Sequence, residues 1–183
     1  CSNKGKRIFA IVATLGTTVR GAIDPIDNIG RICNERNIWL HIDGSIGGIF
    51  SITNLPIKGI TNFNLANSIT INPQKILGIT KTSSILIVSN LEILKNTFST
   101  GLPYVSNENN FLNRGEIGIQ GSRPAEIIKL WLGLRFLGMR GIEDVLNSSI
   151  NRRKFFEKNL DTEKYEICSG PLHIISFLPK GMN

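Results

Sequence analysis

Four short apolar runs dominate the first half of the chain, and polar or glycine-rich residues follow each of them. Arg7–Thr14 is almost continuously apolar, which is typical of a parallel strand that is covered on both faces. The same pattern predicts three further strands, at Trp39–Asp43, Ser68–Asn72 and Ser83–Val88. Because helices or long connections separate these strands, the pattern indicates an α/β protein with a layered sheet.

Segments with helical spacing lie between and after these strands. Asp24 and Pro25 predict a helix start, with the aspartate as N-cap and the proline at the first helical position. The apolar spacing beyond them predicts a helix that continues to about Arg36. Further helices are predicted at Leu91–Phe98, from Arg123 to about Gly138, and at Ile142–Leu160.

The last part of the chain has a different pattern. Tyr165–Cys168 and Leu172–Phe177 are predicted as short strands of a second unit, with a domain boundary near residue 140. Thr100–Gln120 is polar and rich in Asn and Gly, as expected of a functional or mobile loop. The chain begins without Met, runs directly into an apolar strand and stops shortly after another. We therefore expect it to be part of a longer protein.

Composition narrows the class of protein. The chain is 41% hydrophobic and 19% charged, which is ordinary for a soluble globular protein. Its net charge is +7, but the basic residues are scattered and argue against a nucleic-acid surface. Cys1, Cys33 and Cys168 have neither close pairing nor metal-ligand spacing, which favours a reducing cytoplasm. No apolar run reaches membrane length, and no signal peptide is present in the sequence.

Chemically useful side chains follow the predicted strands. Thr17 and Thr18 follow the first strand, Asp43 ends the second, and Lys75 lies beyond the third. Because the carboxyl ends of parallel strands share one edge of a sheet, these groups are expected to converge on one ligand. Pyridoxal phosphate suits them well, since it needs an amine for its aldehyde and a carboxylate for its pyridine nitrogen.

Simpler interpretations apply to each of these residues alone. Lys75 is by itself more typical of a solvated loop lysine, and Asp43 of a cap for the turn that follows it. Thr17 and Thr18 suit the capping of their own turn. His41 is more typical of a packed, hydrogen-bonded core histidine than of an acid or base. The glycines at 44–48 suit a plain turn, and their spacing does not match a dinucleotide-binding loop.

Several ordered motifs resemble one enzyme family. They are ATLGTT at residues 13–18, GAIDP at 21–25, IWLHID at 38–43, SITINPQK at 68–75 and KLWLGLRFLG at 129–138. In this order they resemble the group II pyridoxal-phosphate-dependent amino-acid decarboxylases, which include the aromatic-amino-acid, glutamate, histidine and diaminobutyrate decarboxylases. The resemblance covers nearly the whole chain.

The resemblance implies roles for individual residues. Lys75 lies where the family has its Schiff-base lysine, and Asp43 where it has the carboxylate for the pyridine nitrogen. Thr18 matches the threonine beside the cofactor ring. Ser45 matches the small residue that faces this ring, and Asn72 lies near the phosphate end.

Three more positions follow from the same resemblance. Tyr104 falls in the segment that matches the family's mobile loop, whose tyrosine returns a proton to the product. Ser122, within GSR at residues 121–123, matches a segment that reaches the cofactor phosphate from the partner subunit. Gln74 stands where the family usually has a histidine that contacts the phosphate. A glutamine amide hydrogen-bonds but does not titrate near neutral pH, so we expect cofactor binding to be kept more securely than catalysis.

The sequence thus predicts a fold-type-I pyridoxal-phosphate enzyme. Residues 1–140 are expected to form the second half of the mostly parallel-sheet large domain. Residues 141–183 are expected to begin a small α+β domain. The predicted reaction is decarboxylation of an L-amino acid by a cytoplasmic homodimer with its active site at the subunit interface, without nucleic-acid or membrane partners. The alternatives are aldol cleavage or transamination with the same cofactor, or a catalytically impaired paralogue or fragment that retains the fold.

Overall fold

The computed structural model describes residues 5–60, 63–80, 84–101, 114–122 and 124–181. Nine helices and strands of regular structure follow one another in these ranges, along with four short 3-10 turns. They are β1 (Ala10–Thr14), α1 (Ile26–Glu35), β2 (Trp39–Gly44), β3 (Ser68–Ile71), β4 (Ile85–Val88), α2 (Leu91–Phe98), α3 (Ile127–Asn159), β5 (Tyr165–Ser169) and β6 (Ile175–Pro179). In the described part of the chain, no helix has the length and apolar content needed to span a membrane.

The main sheet has the strand order β1-β2-β3-β4. β1, β2 and β3 are parallel, whereas β4 runs antiparallel to β3. The α/β architecture with a mostly parallel sheet is therefore confirmed. In the register of the sheet, Thr14 lies opposite Asp43, and Asp43 lies opposite Thr70. This register brings the carboxyl ends of the parallel strands to one edge, as predicted.

The two faces of the sheet differ. One face carries Ala13, Leu40, Ile42 and Ile69, which are all at most 5% exposed and form the main core. Because side chains alternate along a strand, Trp39, His41 and Asp43 share the opposite face. They are only partly buried there. His41 and Asp43 thus lie on the less covered face of the sheet.

The start of α1 differs from its prediction. Pro25, not Asp24, is the residue at the N-cap, and the Asp24 side chain makes no capping bond. Instead Asp24 Oδ2 accepts a hydrogen bond of 2.7 Å from the backbone N–H of Thr14. Asp24 is used to hold the loop after β1 against the strand end, so it is not available as a cap for the helix.

The predicted break between two helices before residue 140 is present within α3, at Gly138, where φ is 60° and ψ is 178°. Glycine adopts this non-helical backbone conformation at little steric cost, so one helix ends and the next begins across a kink there. One further boundary is corrected. The last strand begins at Ile175 rather than Leu172. Leu172 is fully buried in the turn before it.

The β5–β6 hairpin packs on the loop that follows β1. The backbone N–H of Gly170 donates to the carbonyl of Arg20 at 2.5 Å, and Ser176 Oγ donates to the carbonyl of Val19. Leu172 belongs to the same buried cluster as the sheet, and so do three residues of the second half of α3, namely Ile142, Leu146 and Ile150. Residues on both sides of the predicted domain boundary therefore share one core. The boundary itself stays a prediction.

Candidate active site

Asp43 is the best-supported group at the carboxyl edge of the sheet. Its Oδ1 accepts hydrogen bonds from the hydroxyl of Ser45 at 2.6 Å and from the backbone N–H of Ser45 at 3.1 Å. The hydroxyl bond is the largest cause of a lowered Asp43 pKa, to which the backbone bond and the positive fields of Lys75 and His41 add. Partial burial opposes this shift in the pKa. Asp43 is thus held as a carboxylate near neutral pH.

Lys75 lies on the turn after β3. β3 ends at Ile71, and the next residues form a short 3-10 turn, Pro73–Lys75, which Asn72 precedes. Proline at the first position of the turn fixes its start, and the backbone N–H of Lys75 donates to the carbonyl of Asn72 at 3.1 Å. The Lys75 side chain is exposed and contributes to the field at Asp43. The predicted amine and carboxylate therefore lie within electrostatic reach of each other.

Two buried oxygen atoms beside Lys75 lack partners. Asn72 Oδ1 and Gln74 Oε1 are both buried, and neither has a hydrogen bond in the described part of the chain. A buried acceptor without a donor costs free energy, and such atoms in a cleft are frequently completed by a ligand. This pair therefore indicates that a polar group belongs beside the Pro73–Lys75 turn.

Hydrogen-bonded polar side chains line the less covered face of the sheet on the way to Asp43. Ser68 Oγ accepts from the indole N–H of Trp39 at 3.1 Å and lies 2.8 Å from Nδ1 of His41. The other ring nitrogen of His41 lies 3.3 Å from the Thr70 hydroxyl. His41 is thus a packed, hydrogen-bonded histidine, as its sequence context predicted. The sequence analysis missed Ser68, although its position opposite His41 follows once the strand register is known.

Glycines position the loop after Asp43. A Cβ atom added to Gly44 would lie 2.8 Å from the carbonyl oxygen of Thr70, and one on Gly47 would lie 2.4 Å from that of Leu15. The backbone N–H of Gly47 donates to the same Leu15 oxygen at 2.8 Å. The glycines therefore let the loop approach the ends of two strands, which is why Ser45 returns to Asp43.

The other predicted residues are less closely linked. Thr17 caps its own turn, because its hydroxyl accepts from the backbone N–H of Ala22 at 3.0 Å. Thr18 is exposed at the tip of this loop, and Ser122 is exposed before α3. Within the described ranges, neither hydroxyl is hydrogen-bonded to Asp43, Ser45 or Lys75. Tyr104 lies outside the described residues.

Comparisons with known proteins bear on this arrangement. A family model described as the pyridoxal-dependent decarboxylase conserved domain matches residues 1–178. The chain belongs to this family. The acidic amino acid decarboxylase GADL1 of Homo sapiens is 31% identical to it over 181 residues, which are 90% of this chain and 34% of that protein. An aromatic-L-amino-acid decarboxylase of Bacillus atrophaeus is 29% identical over 180 residues, covering 95% of this chain and 38% of that protein.

Solved structures agree on the fold. The Oryza sativa TDC structure with PLP and tryptamine matches 98% of this chain and 38% of its own, with a TM-score of 0.89 and 20% identity. This likeness confirms the fold-type-I prediction at the level of the fold. The chain spans about a third of the length of the curated relatives it matches.

The residues present fit pyridoxal phosphate. Asp43 is an ionised carboxylate whose Oδ1 is engaged by Ser45, and its Oδ2 accepts no hydrogen bond from any described residue. That oxygen suits a protonated pyridine nitrogen, and the exposed Lys75 amine suits an aldehyde. The Asn72 and Gln74 amide oxygens, which have no partner among the described residues, suit polar substituents of the ring.

Proposed function

We propose that this chain contributes the cofactor-holding lysine and carboxylate of a pyridoxal-phosphate-dependent amino-acid decarboxylase. The observation that carries the proposal is that the exposed Lys75 amine lies near enough to the Asp43 carboxylate at the sheet edge to help lower the Asp43 pKa. The relatives named above are decarboxylases, which favours this reaction over aldol cleavage or transamination. The products are an amine and carbon dioxide, formed from an L-amino acid.

Each residue has a role that follows from its chemistry. Lys75 would hold the cofactor through its amine. Asp43 keeps the pyridine nitrogen protonated, and Ser45 keeps Asp43 ionised. When bound, pyridoxal phosphate supplies an electron sink for the pair that is released as the carboxylate leaves. Thr18 would contact the ring, and Ser122 would reach the phosphate across the subunit interface.

Asn72 and Gln74 bind the phosphate end through their amides. Both side chains are partly buried beside the Pro73–Lys75 turn, and each keeps one unpartnered oxygen there. An amide presents two N–H donors as well as its oxygen, so the group serves a phosphate when it turns its nitrogen inward. Tyr104 is the proposed acid that returns a proton to the product.

The active protein is a cytoplasmic homodimer with its site at the subunit interface. The first half of α3 supports a partner, because Ile128, Trp131 and Phe136 are each more than half exposed. Cys33 and Cys168 are free thiols, as expected in a reducing compartment. Light scattering of the purified protein at several concentrations tests the dimer. A mass of one subunit at all concentrations would contradict it.

Product analysis tests the reaction. The purified protein is incubated with pyridoxal phosphate and each of the common L-amino acids, and released carbon dioxide and amine are measured. We expect at least one amino acid to give both products in equal amounts. Lys75→Ala should abolish the release, whereas Lys158→Ala, at an exposed position near the end of α3, should retain it. Equal release by the wild type and Lys75→Ala would overturn the assignment of Lys75.

A further inference from the structure

A cavity lined by both apolar and basic residues lies between a loop, α3 and the β5–β6 hairpin. It has a volume of about 250 Å³ and opens between the loop at residues 55–58 and the second half of α3. Asn147, Ile150 and Lys154 line it from the helix, where their spacing of three and four residues puts them on one face. Pro171, just before the hairpin's second strand, closes one side. The cavity is large enough for a small organic ion.

The lining is basic. It contains Lys58, Arg153 and Lys154, and no carboxylate occurs among the described residues that line it. Neither Lys58 nor Lys154 belongs to an ion pair between described residues. Two unneutralised amines at the mouth of one cavity give it a positive field that attracts anions.

Arg153 provides the observation that points to a ligand. Its side chain is only 10% exposed, and its Nη1 donates to Glu157 Oε2. Its Nε is buried and has no hydrogen-bond partner in the described part of the chain. A buried guanidinium N–H without an acceptor is costly, because arginine is always charged and all of its polar atoms are donors.

The nearby carboxylates are already engaged. Glu157 accepts from Arg153 through one oxygen and from the Ser169 hydroxyl through the other. Glu143, one turn before Asn147, accepts from the backbone N–H of Asn54 at 3.2 Å. Neither carboxylate accepts from Arg153 Nε within the described part of the chain.

We propose that this cavity binds a small oxyanion, a molecule that carries a carboxylate or phosphate group. Arg153 Nε–H donates to an oxygen of the anion, and Lys58 and Lys154 neutralise its charge at the mouth. The Asn147 amide is a further donor beside them. The site joins a loop of the sheet unit, α3 and the hairpin, so bound anion holds these three segments together. It goes beyond the proposed decarboxylation and uses none of its residues.

Calorimetric titration of the cofactor-saturated protein tests the proposal, with inorganic phosphate and succinate as separate probes. We expect one-to-one binding of at least one probe. If only one of the two binds, it shows whether the site prefers a phosphate or a carboxylate group. Lys58→Gln and Lys154→Gln should each weaken binding about two- to fivefold. Arg153→Gln should weaken it about tenfold or more.

Arg152→Gln is the matched control, because Arg152 is exposed on the same helix but does not line the cavity. Its affinity should equal that of the wild type. The two lysine variants keep the test decisive if Arg153→Gln does not fold, since both lysines are exposed. Failure of both probes to bind would overturn the proposal. So would equal weakening by Arg152→Gln and the lysine variants, which would indicate only a diffuse positive field.

Discussion

At the scale of single residues, hydrogen bonds from Ser45 favour the ionised form of Asp43. The two bonds from Ser45 to Oδ1 favour the carboxylate over the acid and so lower the pKa of Asp43. A carboxyl group whose pKa is lower in the folded than in the unfolded chain stabilises the fold above the unfolded pKa. This stabilisation is lost as the pH falls through the folded pKa.

The first prediction follows from this linkage. The free energy of unfolding should fall as the pH drops below the ordinary carboxyl value of 3.8, and Ser45→Ala should reduce that fall. Urea unfolding at pH values on both sides of this point measures it. Ser89→Ala is the control, because Ser89 is exposed. If Ser45→Ala and Ser89→Ala have the same pH dependence, Ser45 does not set the pKa of Asp43.

Gln74 gives a second prediction at this scale. The family resemblance implies a histidine at this position, which titrates near neutral pH, whereas the glutamine amide forms hydrogen bonds but does not transfer a proton. Gln74→His should therefore raise the rate of carbon dioxide release by up to about a hundredfold, with little change in cofactor affinity. Single-turnover assays and cofactor titration separate the two effects. An unchanged rate would show that the glutamine does not limit catalysis.

At the scale of elements, the loop after β2 depends on close backbone approach. Gly47→Ala would put a Cβ atom 2.4 Å from the carbonyl oxygen of Leu15, so the loop or the end of β1 must shift. We expect a loss of about 1–3 kcal/mol in the free energy of unfolding. Gly121→Ala is the matched control, since its Cβ would meet nothing within 4 Å. Equal stability of the two variants, measured by chemical unfolding, would refute the close approach.

The elements were largely predictable where one pattern dominates. α2 has the predicted bounds because its apolar spacing and the Asn90 cap agree. The start of α1 was not predictable, because Asp24 bonds to Thr14 ten residues earlier. A contact at that sequence separation leaves no local signal in the sequence. The break between the two predicted helices at Gly138 was predictable, because glycine adopts a positive φ at little steric cost and so interrupts a helix readily.

The candidate site was predictable in part. Parallel strands bring their carboxyl ends together, so the grouping of Asp43 with Lys75 follows from topology alone. The bond from Ser45 to Asp43 required the turn geometry, which depends on contacts of Gly44 and Gly47 with neighbouring strands. The row from Trp39 through Ser68 to His41 required the strand register.

At the scale of the whole molecule, the hairpin and the sheet share one core through Leu172. This side chain is fully buried, and its Cδ1 atom would be only 2.7 Å from a Cβ on Gly16 in the loop after β1. Leu172→Ala should therefore cost about 2–5 kcal/mol in a single unfolding transition. Leu178→Ala, in the exposed part of the same hairpin, should cost far less. If the variant unfolds in two transitions and the wild type in one, the Leu172 contact is what couples the hairpin to the sheet. Two transitions in the wild type would contradict the shared core.

The most direct test of the site concerns the amine of Lys75. Borohydride reduces a reversible link between a lysine amine and the aldehyde of pyridoxal phosphate to a stable one, and peptide mapping then locates it. With the purified protein and added cofactor, we expect the label on the peptide that contains Lys75. It should be absent in Lys75→Ala and retained in Lys158→Ala. Label on a different lysine, or on none, would contradict the assignment of this chain's cofactor site.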